Sequence, residues 1–133
     1  MSGEAFIDTN VILYLISPDA EKADRAEHLI AKGGTTSVQV LNEFTAVCLR
    51  KALLEIEEIQ EFLLTIRALL KVVPIDLPTH ERAVEIAAIH NYSFYDCLII
   101  AAAGLAFCTN LYSEDMSDGH IIDGLVIVNP FRT

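Results

Sequence analysis

Short apolar runs alternate with helical segments along nearly the whole chain, and this alternation constrains the fold more than any other feature. Five runs have the length and composition of strands, at residues 5–7, 35–37, 72–75, 109–112 and 125–128. Six segments have helical character, at residues 10–16, 19–32, 38–51, 56–70, 79–90 and 94–107. Apolar strands that alternate with helices are typical of a parallel sheet covered on both faces. The sequence therefore predicts an α/β fold around a sheet of about five strands.

Length and composition predict a single domain over residues 1–133. The chain is long enough to bury one core but not two, and 53% of its residues are hydrophobic, which excludes a disordered chain. No apolar stretch approaches the roughly 20 residues that a membrane span needs. The first residues lack the basic start and the apolar region of a signal peptide. We therefore expect a cytoplasmic protein that has no membrane partner.

Charge and cysteine content narrow the candidate functions. The 19 acidic and 9 basic residues give a net charge of −10, which on average repels nucleic acids and membrane surfaces. A nucleic-acid role would need metal ions or a local basic patch. Cys48, Cys97 and Cys108 lie among apolar residues without zinc-ligand spacing, so we interpret them as small buried side chains.

Four carboxylates stand in apolar surroundings. Asp8 follows the first predicted strand and Asp115 follows the fourth, while Glu43 and Asp96 border the inward faces of their predicted helices. Ligands of parallel sheets gather beyond the carboxyl ends of the strands. The four side chains are therefore candidates for one shared site.

Each of these acids also has a structural explanation. Asp8 is suited to cap the helix that follows it. Ser93 with Asp96 fits a capping box. Glu43 could be a solvated edge position, and Asp115 could belong to an ordinary turn. Taken singly, none of the four indicates a function.

As a group, the four acids favour a metal site. Two carboxylates about 4 Å apart repel each other by on the order of 4 kcal/mol at an effective dielectric constant near 20, so protonation or a divalent cation must relieve the repulsion. Oxygen ligands without Cys or His suit Mg²⁺ or Mn²⁺. Such ions activate water and stabilise charge on a phosphoryl group, which indicates phosphodiester hydrolysis.

The sequence resembles the PIN-domain ribonucleases, in particular the VapC-type toxins of toxin–antitoxin pairs, in four ordered segments: FIDTNVILY, QVLNEF, FYDCLIIAAA and YSEDMSDGHIIDGLVIVNPF. The resemblance spans residues 5–131. It implies a three-layer α/β/α fold with a mostly parallel central sheet, a homodimer, an RNA substrate and a cognate antitoxin. It also implies that an acidic quartet holds one or two Mg²⁺ or Mn²⁺ ions for RNA cleavage, matched here by Asp8, Glu43, Asp96 and Asp115.

The resemblance assigns supporting roles to three further residues. Thr9 and Ser113 occupy positions where a hydroxyl orients a carboxylate, and Asp118 matches a further acid near the metal, with contact through water. Glu114 and Asp123 are predicted to be solvated surface acids, which is the common state of charged residues in a loop.

Four histidines lack ligand spacing and are predicted at the surface or at helix ends: His28, His80, His90 and His120, the last of which follows the acidic loop. Tyr92, Phe94 and Tyr95 could stack on nucleobases. Aromatic residues before a buried helix more often serve packing, which is our interpretation here.

Two alternatives to a ribonuclease remain open. One is an aspartyl phosphatase or phosphotransferase with Asp8 as the nucleophile. The second acid expected two residues later is Asn10, and no lysine stands near a late strand end to bind a phosphate, which disfavours this alternative. The other is a non-catalytic module that binds a metal or a partner protein through the same acids.

Overall fold

The computed structural model describes residues 5–132, which form six strands and six helices. The strands are β1 (Ala5–Ile7), β2 (Thr35–Ser37), β3 (Lys71–Val73), β4 (Asn110–Tyr112), β5 (Ile121–Ile122) and β6 (Leu125–Val128). The helices are α1 (Thr9–Tyr14), α2 (Ala20–Ala31), α3 (Val38–Arg50), α4 (Ile56–Leu69), α5 (Leu77–Ile89) and α6 (Phe94–Leu105). All predicted elements are present, and each of their ends lies within two residues of its predicted position.

The sheet has the strand order β3-β2-β1-β4-β6-β5. Neighbouring strands are parallel except β5 and β6, which are antiparallel. Phe6 and Ile7 are successive residues of the central strand β1 and must point to opposite faces, yet both are fully buried. Helices therefore cover both faces of the sheet, and the predicted three-layer α/β class is confirmed.

The strand count is the main correction to the predicted fold. Strand β5 was not predicted and brings the number of strands to six. It forms a hairpin with β6, with Ile121 opposite Val126. The two loop residues, Asp123 and Gly124, have φ values of 49° and 85°. An Asp-Gly pair with positive φ at both positions is typical of a two-residue hairpin turn.

Two smaller differences have local causes. Helix α5 begins at Leu77 rather than Thr79 because Asp76 caps it, accepting the Thr79 N–H at 3.2 Å. Pro78 fits in the first turn, where its missing N–H is not needed. Strand β3 ends before Pro74, which has no N–H to donate to a strand ladder.

Helix α6 is the buried helix of the fold. Residues 97–103 are all buried, as the apolar sequence after Asp96 predicts. Cys48, Cys97 and Cys108 are buried, also as predicted. Within residues 5–132, no single helix has the length and apolar character to cross a membrane; α5 and α6 together meet those criteria but are bent by 120° at the break between them.

The parallel register brings the candidate site residues to one edge. Ile7, the last residue of β1, pairs with Tyr112, the last residue of β4. Asp8 and Ser113 directly follow these two residues and therefore lie side by side. The Asp8 N–H donates to the Tyr112 carbonyl at 3.1 Å, which extends the ladder by one bond. Strand β2 ends at the same edge with Ser37, the N-cap of α3, and α3 carries Glu43.

Candidate active site

Asp8 is a buried carboxylate, 3% exposed, at the carboxyl end of β1. Its Oδ1 accepts the Thr9 N–H at 2.6 Å, and its Oδ2 accepts the Ser113 hydroxyl at 2.7 Å and the Asn10 amide at 3.2 Å. Asp8 is also the N-cap of α1. The capping explanation and the site explanation therefore apply to the same residue.

The Asp8 carboxyl holds its proton more tightly than an ordinary aspartic acid. Burial raises its pKa to about 7, against hydrogen bonds from Ser113 and Thr9 that lower it. The charges of Asp96 and Glu43 raise the pKa further. The Asp8 carboxyl therefore exchanges between its protonated and ionised forms near neutral pH.

Glu43 lies in the second turn of α3 and is half-buried. The Thr9 hydroxyl donates to its Oε1 at 2.6 Å, and the Gln39 amide donates to its Oε2 at 3.0 Å. The hydrogen bond from Thr9 is the kind of contact that the resemblance implies for that residue. Glu43 is therefore fixed by neighbouring side chains and is not a freely solvated edge position.

Asp96 lies in the first turn of α6 and is half-buried. Its N–H donates to the hydroxyl of Ser93, the N-cap, at 3.1 Å. Burial raises the pKa of Asp96, a hydrogen bond with the Ser93 side chain lowers it, and the charges of Glu43 and Asp115 raise it. The Asp96 carboxylate is therefore within electrostatic range of both of these acids.

Asp115 follows β4 by three residues and is exposed. Its N–H donates to the Ser113 hydroxyl oxygen at 3.2 Å, and its Oδ2 accepts the Asn10 amide at 3.1 Å. Ser113 is fully buried and contacts both Asp8 and Asp115. We name Asp8, Glu43, Asp96 and Asp115 together the acidic edge.

Asn10 is the site residue that sequence reasoning missed. Its Nδ2 lies within hydrogen-bonding distance of both Asp8 and Asp115, and its Oδ1 accepts the Glu114 N–H at 3.0 Å. One amide thus holds together two carboxylates that are more than 100 residues apart in sequence. The available signal was a polar residue directly after Asp8-Thr9, at the start of an otherwise apolar helix.

Glu114 corrects a prediction, because it is not a solvated surface acid. Its side chain is 25% exposed, accepts the Lys22 ammonium at 2.7 Å and accepts the Tyr14 hydroxyl. Burial raises the pKa of Glu114, but the hydrogen bonds from Lys22 and Tyr14 outweigh it and hold the pKa below its usual value. Glu114 therefore links the loop after β4 to α1 through Tyr14 and to α2 through Lys22.

Asp118 and Asp123 take part in contacts at the C-terminal strands. Asp118 accepts the Asn129 N–H at 2.8 Å and pairs with Arg132 at 3.2 Å. Asp123 is exposed, as predicted, and pairs with Arg82. The outer position near a metal that the resemblance implies for Asp118 stays a prediction.

The histidines and the aromatic residues around the start of α6 lie at the surface or in partly buried contacts. His28 and His80 are exposed, and His90 caps the C-terminus of α5. The Tyr92 hydroxyl and His120 Nδ1 are 2.7 Å apart, and His120 is half-buried. The Phe94 ring contacts the rings of His80 and Tyr95.

The donor chemistry of the acidic edge fits a hard divalent cation, although its present arrangement is not a finished metal site. All four side chains offer oxygen, and neighbouring acids raise the pKa of Asp8 and Asp96. Among residues 5–132, no three Asp, Glu, His or Cys side chains are arranged to hold a metal ion. Several of the oxygens are instead engaged by Thr9, Ser113 and Asn10. A cation would have to draw carboxylates away from these hydrogen bonds.

The PIN domain family model matches residues 5–116. The match covers well over half of the chain, which therefore belongs to the PIN domain family, as its four motifs predict. No curated protein sequence matches the chain.

Three solved structures share the fold. VapC20 of Mycobacterium tuberculosis, described as a toxin that cleaves the sarcin-ricin loop, has a TM-score of 0.65 at 22% identity, over 84% of this chain and 89% of that one. A toxin–antitoxin complex from Klebsiella pneumoniae has a TM-score of 0.74 at 20% identity, over 97% and 99%. VapBC2 from Rickettsia felis, bound to a promoter DNA fragment, has a TM-score of 0.63 at 21% identity, over 92% and 96%.

Proposed function

We propose that the chain is a metal-dependent endoribonuclease that hydrolyses RNA phosphodiester bonds. The observation that carries the proposal is the acidic edge, where four carboxylates from separate segments come together and the charges of the other acids raise the pKa of Asp8 and Asp96. Folding such charges together costs free energy, and a site that binds a cation offsets this cost. Membership of the PIN domain family supports the same chemistry.

The residues that would hold the metal are Asp8, Glu43, Asp96 and Asp115, with Asp118 contributing through water. When bound, one or two Mg²⁺ or Mn²⁺ ions supply an activated water molecule and stabilise the charge that develops on the phosphoryl group. Hard oxygen ligands favour these ions over zinc.

The chain's own side chains position the acids, and burial sets the pH at which Asp8 releases its proton. Ser113 and Asn10 hold Asp8 against Asp115, while Thr9 and Gln39 hold Glu43. Because the pKa of Asp8 is about 7, this residue can release its proton near neutral pH. Both oxygens of Asp8 accept hydrogen bonds, and this disfavours Asp8 as a phosphatase nucleophile.

We further propose that the protein is the toxin of a toxin–antitoxin pair, acts in the cytoplasm, forms a homodimer and binds a cognate antitoxin. The fold shared with a toxin–antitoxin complex over 97% of this chain supports this role. Light scattering on the purified protein tests the dimer, and the expected mass is twice 14.7 kDa. A mass equal to that of one chain at micromolar concentration would contradict the dimer.

A non-catalytic binding module is the second candidate. It is supported by the finding that no three acids among residues 5–132 are arranged to hold a metal. In that case the acidic edge would serve partner binding, and no RNA would be cleaved.

RNA cleavage by the purified chain separates the two candidates. Total RNA is incubated with the protein in Mg²⁺ or Mn²⁺, with and without EDTA, and Asp96→Asn is compared with Asp24→Asn, which changes an exposed acid on α2. We expect discrete cuts that EDTA and Asp96→Asn abolish and that Asp24→Asn leaves intact. Cleavage that survives EDTA or Asp96→Asn would contradict the proposed site, and no cleavage at all would favour the binding module.

A further inference from the structure

A groove between α1 and α3 opens directly beside the acidic edge. It encloses a cavity of about 280 Å³. Glu43 and Asp115 form part of its wall, which connects the groove to the acidic edge. Leu13 of α1 and Ala46 and Val47 of α3 add an apolar surface.

One face of α3 provides most of this groove. Glu43, Ala46, Val47 and Arg50 are spaced at i, i+3, i+4 and i+7, so they lie on the same side of the helix. Glu43 and Arg50 are about 10 Å apart along the helix axis, at about 1.5 Å per residue. The groove therefore runs from an acid at the candidate site, across two apolar side chains, to a base.

Arg50 is the one basic side chain among the described residues that line the groove. It is exposed, and no hydrogen bond or ion pair within residues 5–132 engages its guanidinium. By contrast, Lys22 pairs with Glu114 and Arg132 pairs with Asp118. Arg50 thus offers an unpaired cation next to a strongly acidic site.

We propose that this groove is a binding subsite for a nucleotide of the RNA strand that flanks the cleaved phosphate. Arg50 binds the phosphate of that nucleotide, and the base packs against Leu13, Ala46 and Val47. This inference rests on the proposed ribonuclease function and adds a residue that holds the substrate.

Charge and side-chain chemistry favour RNA as the occupant. A molecule with a net charge of −10 repels a polyanion, so RNA needs a positive contact close to the reacting bond. A guanidinium group presents a planar fork of donors that matches two phosphate oxygens. An apolar wall beside it suits a nucleobase, whereas a phosphate alone would gain nothing from it. A phosphate contact positions the strand without reading its sequence.

The test compares Arg50→Ala and Arg50→Lys with Lys51→Ala. Lys51 is the next residue and is exposed, and its removal changes the net charge equally without altering the groove lining. Steady-state kinetics are measured on a single-stranded RNA oligonucleotide that the unmodified protein cuts, at several salt concentrations. Circular dichroism checks that each variant is folded.

We expect Arg50→Ala to raise KM on the order of tenfold, because it removes a hydrogen bond to a charged phosphate, with little change in kcat. The slope of log KM against log salt concentration should fall by roughly 0.7, the value for one phosphate contact on a single strand. Arg50→Lys should recover part of the loss, and Lys51→Ala should match the unmodified protein.

Four outcomes would overturn the subsite. Equal KM values for Arg50→Ala and the unmodified protein would remove Arg50 from substrate binding, while cleavage itself would leave the proposed function intact. Equal losses in Arg50→Ala and Lys51→Ala would indicate a general charge effect. If KM is unchanged but Arg50→Ala weakens binding of a fluorescent acidic peptide, measured by anisotropy alongside the kinetics, the groove belongs to a protein partner. If the unmodified protein cuts no RNA, the proposed function and the subsite fail together.

Discussion

Asp8 combines a structural task with a position in the candidate site. As the N-cap of α1 it accepts a backbone N–H, and as a buried carboxylate it lies within range of two other acids. Ser113, Thr9 and Asn10 replace part of the lost hydration with hydrogen bonds. Burial still outweighs them, so the pKa of Asp8 is about 7. In the absence of a cation, the folded chain therefore carries a carboxylate that is costly to ionise.

This raised pKa predicts that the metal-free protein loses stability as the pH rises. Between the ordinary value of 3.8 and about 7, the folded state binds the Asp8 proton and the unfolded state does not, so the free energy of unfolding falls with increasing pH. At about 1.4 kcal/mol per pKa unit, the loss between pH 5 and about 7 is on the order of 3 kcal/mol. Urea denaturation in EDTA from pH 5 to pH 8 measures it.

The matched variant for this prediction is Asp8→Asn, which cannot ionise. We expect it to show a flatter dependence on pH than the unmodified protein and to gain stability relative to it at pH 8. Parallel curves for the two proteins across this range would show that Asp8 is not the group responsible.

Asn10 predicts a second effect at the residue scale. Its amide donates to Asp8 and Asp115, so Asn10→Ala should lower kcat for RNA cleavage on the order of tenfold by freeing both acids. Asn10→Asp should lower it further, because it replaces a donor with another negative charge. Single-turnover cleavage measures both changes. An Asn10→Ala variant with full activity would exclude the positioning role.

Among the elements, regular strands and helices were predictable and the short hairpin was not. Strand β5 has only two residues, too few for a hydrophobic period to be recognised. The Asp-Gly pair between apolar residues was the remaining signal. Glu114 could not be assigned for a different reason. Its partners Tyr14 and Lys22 are about 100 and 92 residues away in sequence, and nothing local identifies such pairs.

The contacts of Glu114 predict that the loop after β4 depends on them. Glu114→Gln should lower the thermal midpoint by a few degrees and speed hydrogen exchange across residues 113–118, because the ion pair with Lys22 is lost. The control is Glu57→Gln, which changes an exposed acid on α4. Identical exchange rates in the two variants would show that the contacts of Glu114 do not stabilise this loop.

At the scale of the whole molecule, the sequence predicted which residues reach the edge of the sheet but not how they are arranged there. Asp8 follows β1 and Asp115 lies close after β4, and parallel strands place such residues together. Their orientations depend on Ser113, Asn10 and side-chain packing, which the strand pattern does not encode. Folding thus gathers four of the chain's 19 acidic residues at one edge of the sheet.

The most direct test of this account is a titration of the purified protein with Mn²⁺, followed by the electron paramagnetic resonance signal of the free ion at pH 7.5. The account predicts saturable binding of one or two ions that Asp8→Asn and Asp96→Asn weaken and that Asp24→Asn leaves unchanged. Equal binding by all of these proteins, or no saturable binding by any of them, would contradict a metal site at the acidic edge.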